Sequence, residues 1–502
     1  MRRTKMKNKL VSFLVAVCVS VSLFACVPSF AAANKPSFQE VANGIISWKK
    51  SDVGSSSDGV LMNGKYLELA GTTPGDWYVI GLSRLNVADA YDEYLAVLRD
   101  RVEERYSEPG KLNSVKATEW HRITLSVLAA GGDPTSFGVC DGEKIDLVAD
   151  GTYNRGKTTS LGRQGINGWI WGLIALDSKR YTVPADAYYT RDDIITEILS
   201  RQLPDGGFAL SGAASDPDLT AMALQALAPY YNSEKTYTYE QKSIEKTVTK
   251  HVYDVIDEAL GRLSELQLDT GDFKSWGTEN VESTDQVMVA LCCLGIDPLT
   301  DKRFIKKGNT LYDGILRYRM KDGGFVHSYV YDPDNPSSLP DASNTMAGEQ
   351  TLYTMAALIR RENGSRTLYD FRSEQSAELK SRISSVENKI ASFGANTDAK
   401  TLRSALAEYY SLPETERSYV YSYRYLSSLA KAKNIDVEKI AAETSVVESP
   451  EKDEPDKGIP REFFRPIQGV PELAQENLQE QDQHEERKQN LADVSFKVVQ
   501  NR

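Results

Sequence analysis

The chain has 502 residues, 41% of them hydrophobic, and a formal net charge of −12 at pH 7. This length predicts two or more folded units, and the hydrophobic content is sufficient for a large core. The acidic balance argues against a nucleic-acid or anionic-membrane partner, because such ligands are held by clustered Lys and Arg, and the mature sequence contains no basic patch.

The first 33 residues have the pattern of a secretory signal peptide. Basic residues between Arg2 and Lys9 precede an apolar run over residues 10–27, and "SFAAAN" at 29–34 is a small-residue cleavage site. We expect a mature chain that begins near Asn34, carries no transmembrane segment, and is secreted or held at the extracellular surface of a bacterium. Two alternatives stay open: lipidation at Cys26 of "LFAC", and an N-terminal membrane anchor.

Three cysteines remain in the mature sequence: Cys140, Cys292 and Cys293. An odd count with two neighbouring members does not form a disulfide framework, which favours an exporting bacterium over a disulfide-rich animal secretion. Cys292 and Cys293 fall within an apolar helical pattern, so we expect them to act as small buried hydrophobic residues.

Residues 36–368 repeat one motif six times: an amphipathic helix, a Gly-rich turn, and a helix that is apolar on nearly every side. Helices without a polar face must be surrounded, so the alternation predicts an inner ring of helices wrapped by an outer ring. The expected fold is all-α, a six-hairpin α/α toroid, and the alternative is an open solenoid of helix pairs. The inner helices are predicted to begin near Asp76, Thr118, Asn167, Asp218, Thr284 and Thr345.

Two further regions follow the repeats. Residues 372–436 predict a small three-helix bundle, with Pro413 in the first turn of its last helix. Residues 446–502 are rich in Pro, Glu, Gln and Lys, a composition typical of a disordered acidic tail.

Three Gly-rich turns carry a resemblance to a known superfamily. They are "QLPDGGF" at 202–208, "QLDTGDF" at 267–273 and "MKDGGF" at 320–325. These turns resemble the prenyltransferase and squalene oxidase repeat of terpene cyclases, protein prenyltransferase β subunits and the transcobalamin and intrinsic-factor group, and also of uncharacterised secreted bacterial proteins of that superfamily. The resemblance covers about residues 36–364 and implies an α/α toroid, whereas function must be argued from the site.

The stretch "ASDPDLTA" at 214–221 is similar to the acid motif of class II terpene cyclases, Asp-x-Asp-Asp-Thr-Ala, whose middle aspartate protonates an alkene. Asp216, Asp218, Thr220 and Ala221 match the motif, but Leu219 replaces its third acid. We interpret Asp218 or Ser215 as the cap of an inner helix. The enzyme alternative is a terpene-cyclase-like intramolecular transferase, an isomerase with Asp218 as general acid.

The other chemistries of the superfamily lack their residues here. The four histidines show no metal-ligand spacing, so we expect no zinc or other metal site. "AGEQ" at 347–350 has Ala where a thioester domain needs its thiol. No strand-rich domain follows the repeats to complete a cobalamin site, and we expect no cofactor.

A ring of polar and aromatic residues at the starts of the inner helices, which we call the mouth, remains as the candidate site. Aromatic faces with amide side chains are typical of small-molecule and sugar pockets. We therefore predict a secreted or surface-retained binding protein that captures a small-molecule or glycan ligand, compact or extended, at the mouth, rather than an enzyme. The open alternative is a structural surface module that binds other surface proteins. The candidate ligand-binding residues are Asp76, Trp77, Glu119, Trp120, Gln164, Asn167, Trp169, Asp218, Asp285, Gln286, Glu349 and Gln350.

Overall fold

The computed structural model describes residues 35–331 and 338–444, and within them the chain forms seventeen α-helices, so the prediction of a mostly helical fold is confirmed. The predicted signal peptide and acidic tail lie outside the described residues. The helices are α1 (Phe38–Asp52), α2 (Gly64–Leu67), α3 (Thr73–Arg84), α4 (Tyr91–Ser107), α5 (Thr118–Ala129), α6 (Leu147–Gly151), α7 (Ile166–Asp177), α8 (Arg191–Leu199), α9 (Pro217–Leu227), α10 (Val252–Leu266), α11 (Val281–Cys293), α12 (Leu311–Leu316), α13 (Thr345–Glu362), α14 (Ala377–Ala391), α15 (Ala399–Tyr410), α16 (Tyr423–Ala432) and α17 (Val437–Thr444).

Three antiparallel hairpins interrupt the helices. They pair β1 (Val139–Cys140) with β2 (Glu143–Lys144), β3 (Thr236–Gln241) with β4 (Lys246–His251), and β5 (Phe273–Ser275) with β6 (Thr278–Asn280). In the longest hairpin Thr236 lies opposite His251. Its strand β3 buries Tyr237, Tyr239 and Gln241 and exposes the residues between them, which is the period of two expected for a half-buried strand.

Six helices contact one another in chain order: α3, α5, α7, α9, α11 and α13, with α13 packing back against α3. Each begins within three residues of the predicted start. Hydrogen bonds near the N-termini join two adjacent pairs of these helices. Arg122 of α5 donates from Nε to Asp76 of α3 at 2.8 Å, and Thr351 of α13 donates to Asp285 of α11 at 2.8 Å.

Burial separates these six helices from the helices that lie between them in the chain. Every residue of α11 is buried except Cys293, and the stretches 219–228 and 287–294 are buried as predicted, apart from the half-buried Met222 and Cys293. By contrast, α10 buries Val252, Val255 and residues at the following helical spacings, and exposes its other face. Burial raises the pKa of Cys292 to about 12, so that thiol behaves as a packing group, in agreement with its predicted role.

The segment after α13 closes one end of the helix circuit. Tyr369 lies with its ring centroid 5.7 Å from that of Trp171 in α7. The ring of Tyr421 covers Gly295, which has a φ of +69° just after α11 and leaves no room for a Cβ atom there. Gly295 lies directly after α11, whereas Trp171 lies in the middle of α7.

The C-terminal region differs from the prediction in detail. Within residues 372–436, where three helices were predicted, the chain forms three α-helices, α14 to α16, and a fourth helix, α17, follows at Val437–Thr444. Pro413 does not begin the last helix, because it precedes a 3₁₀ segment, Glu414–Tyr419, and α16 begins only at Tyr423. This 3₁₀ segment presents Glu416 inward, where its carboxylate accepts hydrogen bonds from Arg366, Arg372 and Gln375.

Candidate functional site

Aromatic side chains meet inside the circuit of six helices. The ring centroids of Trp77 in α3 and Trp171 in α7 are 5.1 Å apart, although α3 is adjacent in the circuit to α5 and α13 rather than to α7. Tyr353 of α13 adds a third ring, 5.9 Å from Trp77. Trp171 and Tyr353 are buried, whereas Trp77 is half-buried. The three rings therefore pack together, and part of Trp77 stays accessible.

Two predicted glutamines lie beside this aromatic group. Gln286 donates from Nε2 to Oε1 of Gln350 at 2.8 Å and to the hydroxyl of Tyr353 at 2.5 Å. The Oε1 atom of Gln286 accepts from Gln225 at 2.9 Å. This chain of amides fixes the orientation of Gln350, which stays half-buried at the first turns of α13.

Two of the predicted acids are held in ion pairs. Asp76 is fully buried and accepts from Arg122, from the Tyr94 hydroxyl at 2.6 Å and from the Gly71 amide at 2.8 Å. Burial raises the pKa of Asp76, and the charge of Arg122 opposes that shift. Glu119 accepts twice from Arg122, at 2.6 and 3.0 Å. Burial acts to raise the pKa of Glu119, but Arg122 outweighs it and the pKa is lowered. Both acids therefore organise the mouth through Arg122.

Three further predicted residues serve packing and local hydrogen bonding. Trp120 is 1% exposed, donates from Nε1 to the Tyr106 hydroxyl at 2.7 Å, and lies 4.0 Å below the guanidinium of Arg155. Trp169 is 4% exposed. Gln164 is half-buried, and its Oε1 accepts from the amide of Thr118 at 3.2 Å, which joins the starts of α5 and α7.

The cap of α9 is Asp216, so the interpretation of Asp218 or Ser215 as the cap is wrong. Asp216 accepts from the Leu219 amide at 3.1 Å, and Pro217 occupies the first helical position. Proline favours that position because it has no N–H to leave unpaired, which makes the residue before it the cap. Ser215 instead donates to Asp205 at 2.9 Å.

Replacing Asp216 with alanine is expected to lower the free energy of unfolding by about 1 kcal/mol, the usual loss for a helix cap. Asp216→Asn keeps an acceptor for the Leu219 amide and is expected to change it by only about a few tenths of a kcal/mol. Urea denaturation followed by circular dichroism measures both. Equal losses from the two substitutions would contradict the capping role.

Asp218 lies in the first turn of α9 and has no capping bond. Its side chain is half-buried, and its Oδ1 atom is enclosed without a hydrogen-bond partner. Burial, together with the negative charge of Asp216, raises the pKa of Asp218 to about 7, while Ser283 opposes the shift. Near neutral pH the carboxyl group is therefore protonated in some molecules, where it can donate a hydrogen bond, and ionised in others, where it can only accept one.

Three more carboxyl groups lie within the first five residues of α11 and α13. Glu282 of α11, which the sequence analysis missed, accepts from or donates to Nδ1 of His327 at 2.7 Å. Burial raises the pKa of Asp285 and of Glu349 well above the ordinary values. An acid in the first turn is the ordinary pattern for any helix, so nothing in the sequence marked Glu282 as different.

Several polar atoms around the mouth are buried without a hydrogen-bond partner. Besides Oδ1 of Asp218, they include Oδ1 of Asn167, Oδ1 of Asp285 and Oε2 of Glu349. Asn167 is half-buried at the start of α7. Unpartnered buried atoms also occur away from these helix starts, for example at Asn232 and Tyr239, so these oxygens are available to accept hydrogen bonds but do not by themselves distinguish the mouth.

Two cavities in the described part of the chain lie elsewhere, and none of the twelve predicted residues lines them. The larger one, about 760 Å³, lies between the segment 229–236 and the C-terminal helices, with Tyr230, Glu234, Tyr409 and Arg417 among its lining residues. Contacts join some of the predicted residues: Arg122 bridges Asp76 and Glu119, Gln286 donates to Gln350, and both Trp77 and Gln286 contact Tyr353. Asn167 and Asp218 lie in the first turns of α7 and α9.

Within residues 35–331 and 338–444, no group of three or more His, Cys, Asp or Glu side chains is arranged to hold a metal ion. In the same part of the chain, no helix is long and apolar enough to cross a membrane. Comparisons with protein-family models, with curated proteins and with solved structures find no match to this chain.

Proposed function

We propose that the six helices are the inner ring of a six-hairpin α/α toroid, and that the mouth of this toroid binds a small or extended ligand. The closed order of contacts from α3 to α13 and back supports the ring. In this proposal the protein is secreted or held at the cell surface, needs no metal or cofactor, and acts by capture rather than by catalysis.

One observation carries the proposal: the N-terminal turns of the six helices bear both unpartnered acceptor atoms and a partly accessible aromatic ring. Oδ1 of Asn167 in α7 and Oδ1 of Asp218 in α9 lack partners, and Trp77 in α3 and Gln350 in α13 are half-buried. A ligand that donates hydrogen bonds and places an apolar face on Trp77 would satisfy this arrangement.

The interior of the ring limits how a ligand enters. Trp77, Trp171 and Tyr353 form a floor beneath the mouth, and Tyr369 lies on the opposite side of Trp171. A ligand would therefore rest on this floor and enter from the N-terminal ends of the helices, without passing through the ring.

Native mass spectrometry of the protein purified from its culture medium tests the proposal. We expect a bound ligand that is lost from the double variant Asn167→Ala, Gln350→Ala. Tyr425→Ala is the control, because Tyr425 is 46% exposed on α16, away from the mouth. A ligand-free wild-type protein, or equal ligand retention in both variants, would contradict binding at the mouth.

A second candidate function is a terpene-cyclase-like isomerase, and the pKa of Asp218 favours it. A carboxyl group with a pKa of about 7 is protonated in a large fraction of molecules at neutral pH, as a general acid requires. Against it, Leu219 takes the place of the third acid and is 7% exposed, packed in the core.

Incubation with squalene and geranylgeranyl diphosphate, analysed for cyclic products, decides this candidate. We expect no product, whereas cyclisation that Asp218→Asn abolishes would establish catalysis.

A further inference from the structure

Trp276 is the most exposed large hydrophobic residue among those described, at 74% exposure. It occupies the first position of the two-residue turn between β5 and β6, with a φ of +50°, and Gly277 follows at +91°. Such a turn favours Asn, Asp or Gly, and a bulky residue there is under backbone strain. The chain thus holds a large ring in solvent at a position where a small polar residue would be more stable.

The hairpin that carries Trp276 adjoins the mouth. Ser275 donates to the carboxylate of Asp216, the cap of α9, and also contacts Asp218. Trp276 therefore projects from a loop that is hydrogen-bonded to the first turn of α9, beside the unpartnered oxygen of Asp218.

A second exposed aromatic residue lies on the loop that follows α12. Tyr329 is 53% exposed, its ring stacks on Tyr318 with centroids 5.7 Å apart, and its hydroxyl donates to the Arg317 carbonyl at 2.7 Å. Arg317 in turn pairs with Glu279 of β6 at 3.5 Å. The two loops are thus linked through Arg317 and Glu279, and each carries one exposed aromatic side chain. We call these two loops, residues 273–280 and 317–331, the rim.

The charges of this rim indicate the ligand class. Arg317 is paired with Asp272 and Glu279, and Arg262 with Asp205 and Glu265, whereas Lys274 of β5 is exposed and lies opposite Glu279. These four carboxylates outnumber the three cations. A negatively charged ligand would meet an excess of carboxylates. Carboxylates beside exposed aromatic faces instead suit sugar hydroxyl groups, which donate hydrogen bonds, and the apolar C–H faces of sugar rings.

We propose that the ligand of the mouth is a neutral oligosaccharide, and that Trp276 and Tyr329 stack against its sugar rings as it extends over the rim. This inference rests on the proposed function and specifies its ligand class. The rim and the mouth together form an extended site, in which Asp218 accepts from a sugar hydroxyl and Trp77 forms the floor.

Isothermal titration calorimetry with cellohexaose, xylohexaose, mannohexaose and hexa-N-acetylchitohexaose tests this inference, with hexagalacturonate as the charged comparison. We expect at least one neutral hexasaccharide to bind and the acidic one not to bind. Trp276→Ala is expected to weaken binding at least about tenfold without changing the melting temperature, because an exposed side chain contributes little to folding. Tyr425→Ala is the matched control and is expected to bind like the wild type.

Three results would overturn the inference: no binding of any neutral hexasaccharide, stronger binding of hexagalacturonate, or unchanged binding by Trp276→Ala. The outcomes for mouth and rim are separable. If a co-purified ligand is lost from the Asn167→Ala, Gln350→Ala variant but no hexasaccharide binds, the mouth is a binding site and its ligand is not a neutral oligosaccharide. If hexasaccharide binding depends on Trp276 but not on Asn167 and Gln350, the oligosaccharide binds at the rim and the proposal of a binding site at the mouth is wrong.

Discussion

Glu416→Ala is expected to lower the free energy of unfolding by about 3–5 kcal/mol, the usual loss when one partner of a buried ion pair is removed. Glu416 is 4% exposed and Arg366 is 5% exposed, and their two hydrogen bonds measure 3.0 and 3.1 Å. Arg372 adds a third bond at 2.7 Å. Without the carboxylate, two guanidinium groups remain in an enclosed site with only Asp370 to balance their charge.

Glu414→Ala is the matched control for this prediction. Glu414 belongs to the same 3₁₀ segment but is exposed, so its loss is expected to change stability by less than about 0.5 kcal/mol. Urea denaturation followed by tyrosine and tryptophan fluorescence gives the free energy of unfolding of both variants, taken from the first unfolding transition. A loss below about 1 kcal/mol for Glu416→Ala would show that the ion pair does not hold the C-terminal helices on the preceding segment.

The sequence was sufficient for features that depend on local pattern. Helices α9 and α11 were recognisable because they have no polar face. These features need no knowledge of what lies across the fold. They account for the number and the starts of the six contacting helices.

Features that depend on distant partners could not be read in the same way. The meeting of Trp77 with Trp171 joins residues 94 positions apart and requires the helix circuit itself. The alternating pattern of β3 was present in "TYTYEQ", yet it was overlooked within a helical repeat. The prediction for the cap of α9 was wrong because it followed the family motif, which centres on Asp218. Pro217 occupies the first helical position and therefore makes Asp216 the cap.

Asp285→Asn is expected to make the protein more stable than the wild type above neutral pH, by an amount that grows as the pH rises. Asp285 is fully buried, Thr351 donates to its Oδ2 atom at 2.8 Å, and its Oδ1 atom has no partner. Burial raises the pKa of Asp285 well above the ordinary value, and the charge of Glu282 adds to the shift while Thr351 opposes it. The folded protein therefore retains a proton that the unfolded chain releases near pH 4.

The sign follows from proton binding. Between the unfolded and the folded pKa the native state binds one proton more, so the free energy of unfolding falls as pH rises, by up to about 1.4 kcal/mol per pH unit. Asparagine does not titrate and still accepts from Thr351, so it removes this loss. Because Asp218 and Glu349 titrate in the same direction in both proteins, the difference between variant and wild type isolates Asp285.

Urea denaturation at pH 5, 6, 7 and 8 measures that difference. Asp301→Asn is the control: hydrogen bonds from Arg303 lower the pKa of Asp301, so its carboxylate is ionised throughout this range and the variant's effect is expected to be constant. A constant difference for Asp285→Asn as well would show that Asp285 is ionised in the folded protein. A cation that the present contacts do not provide would then have to balance the negative charge of Asp285. The acids at the mouth would then present a ligand with carboxylates rather than with protonated carboxyl groups.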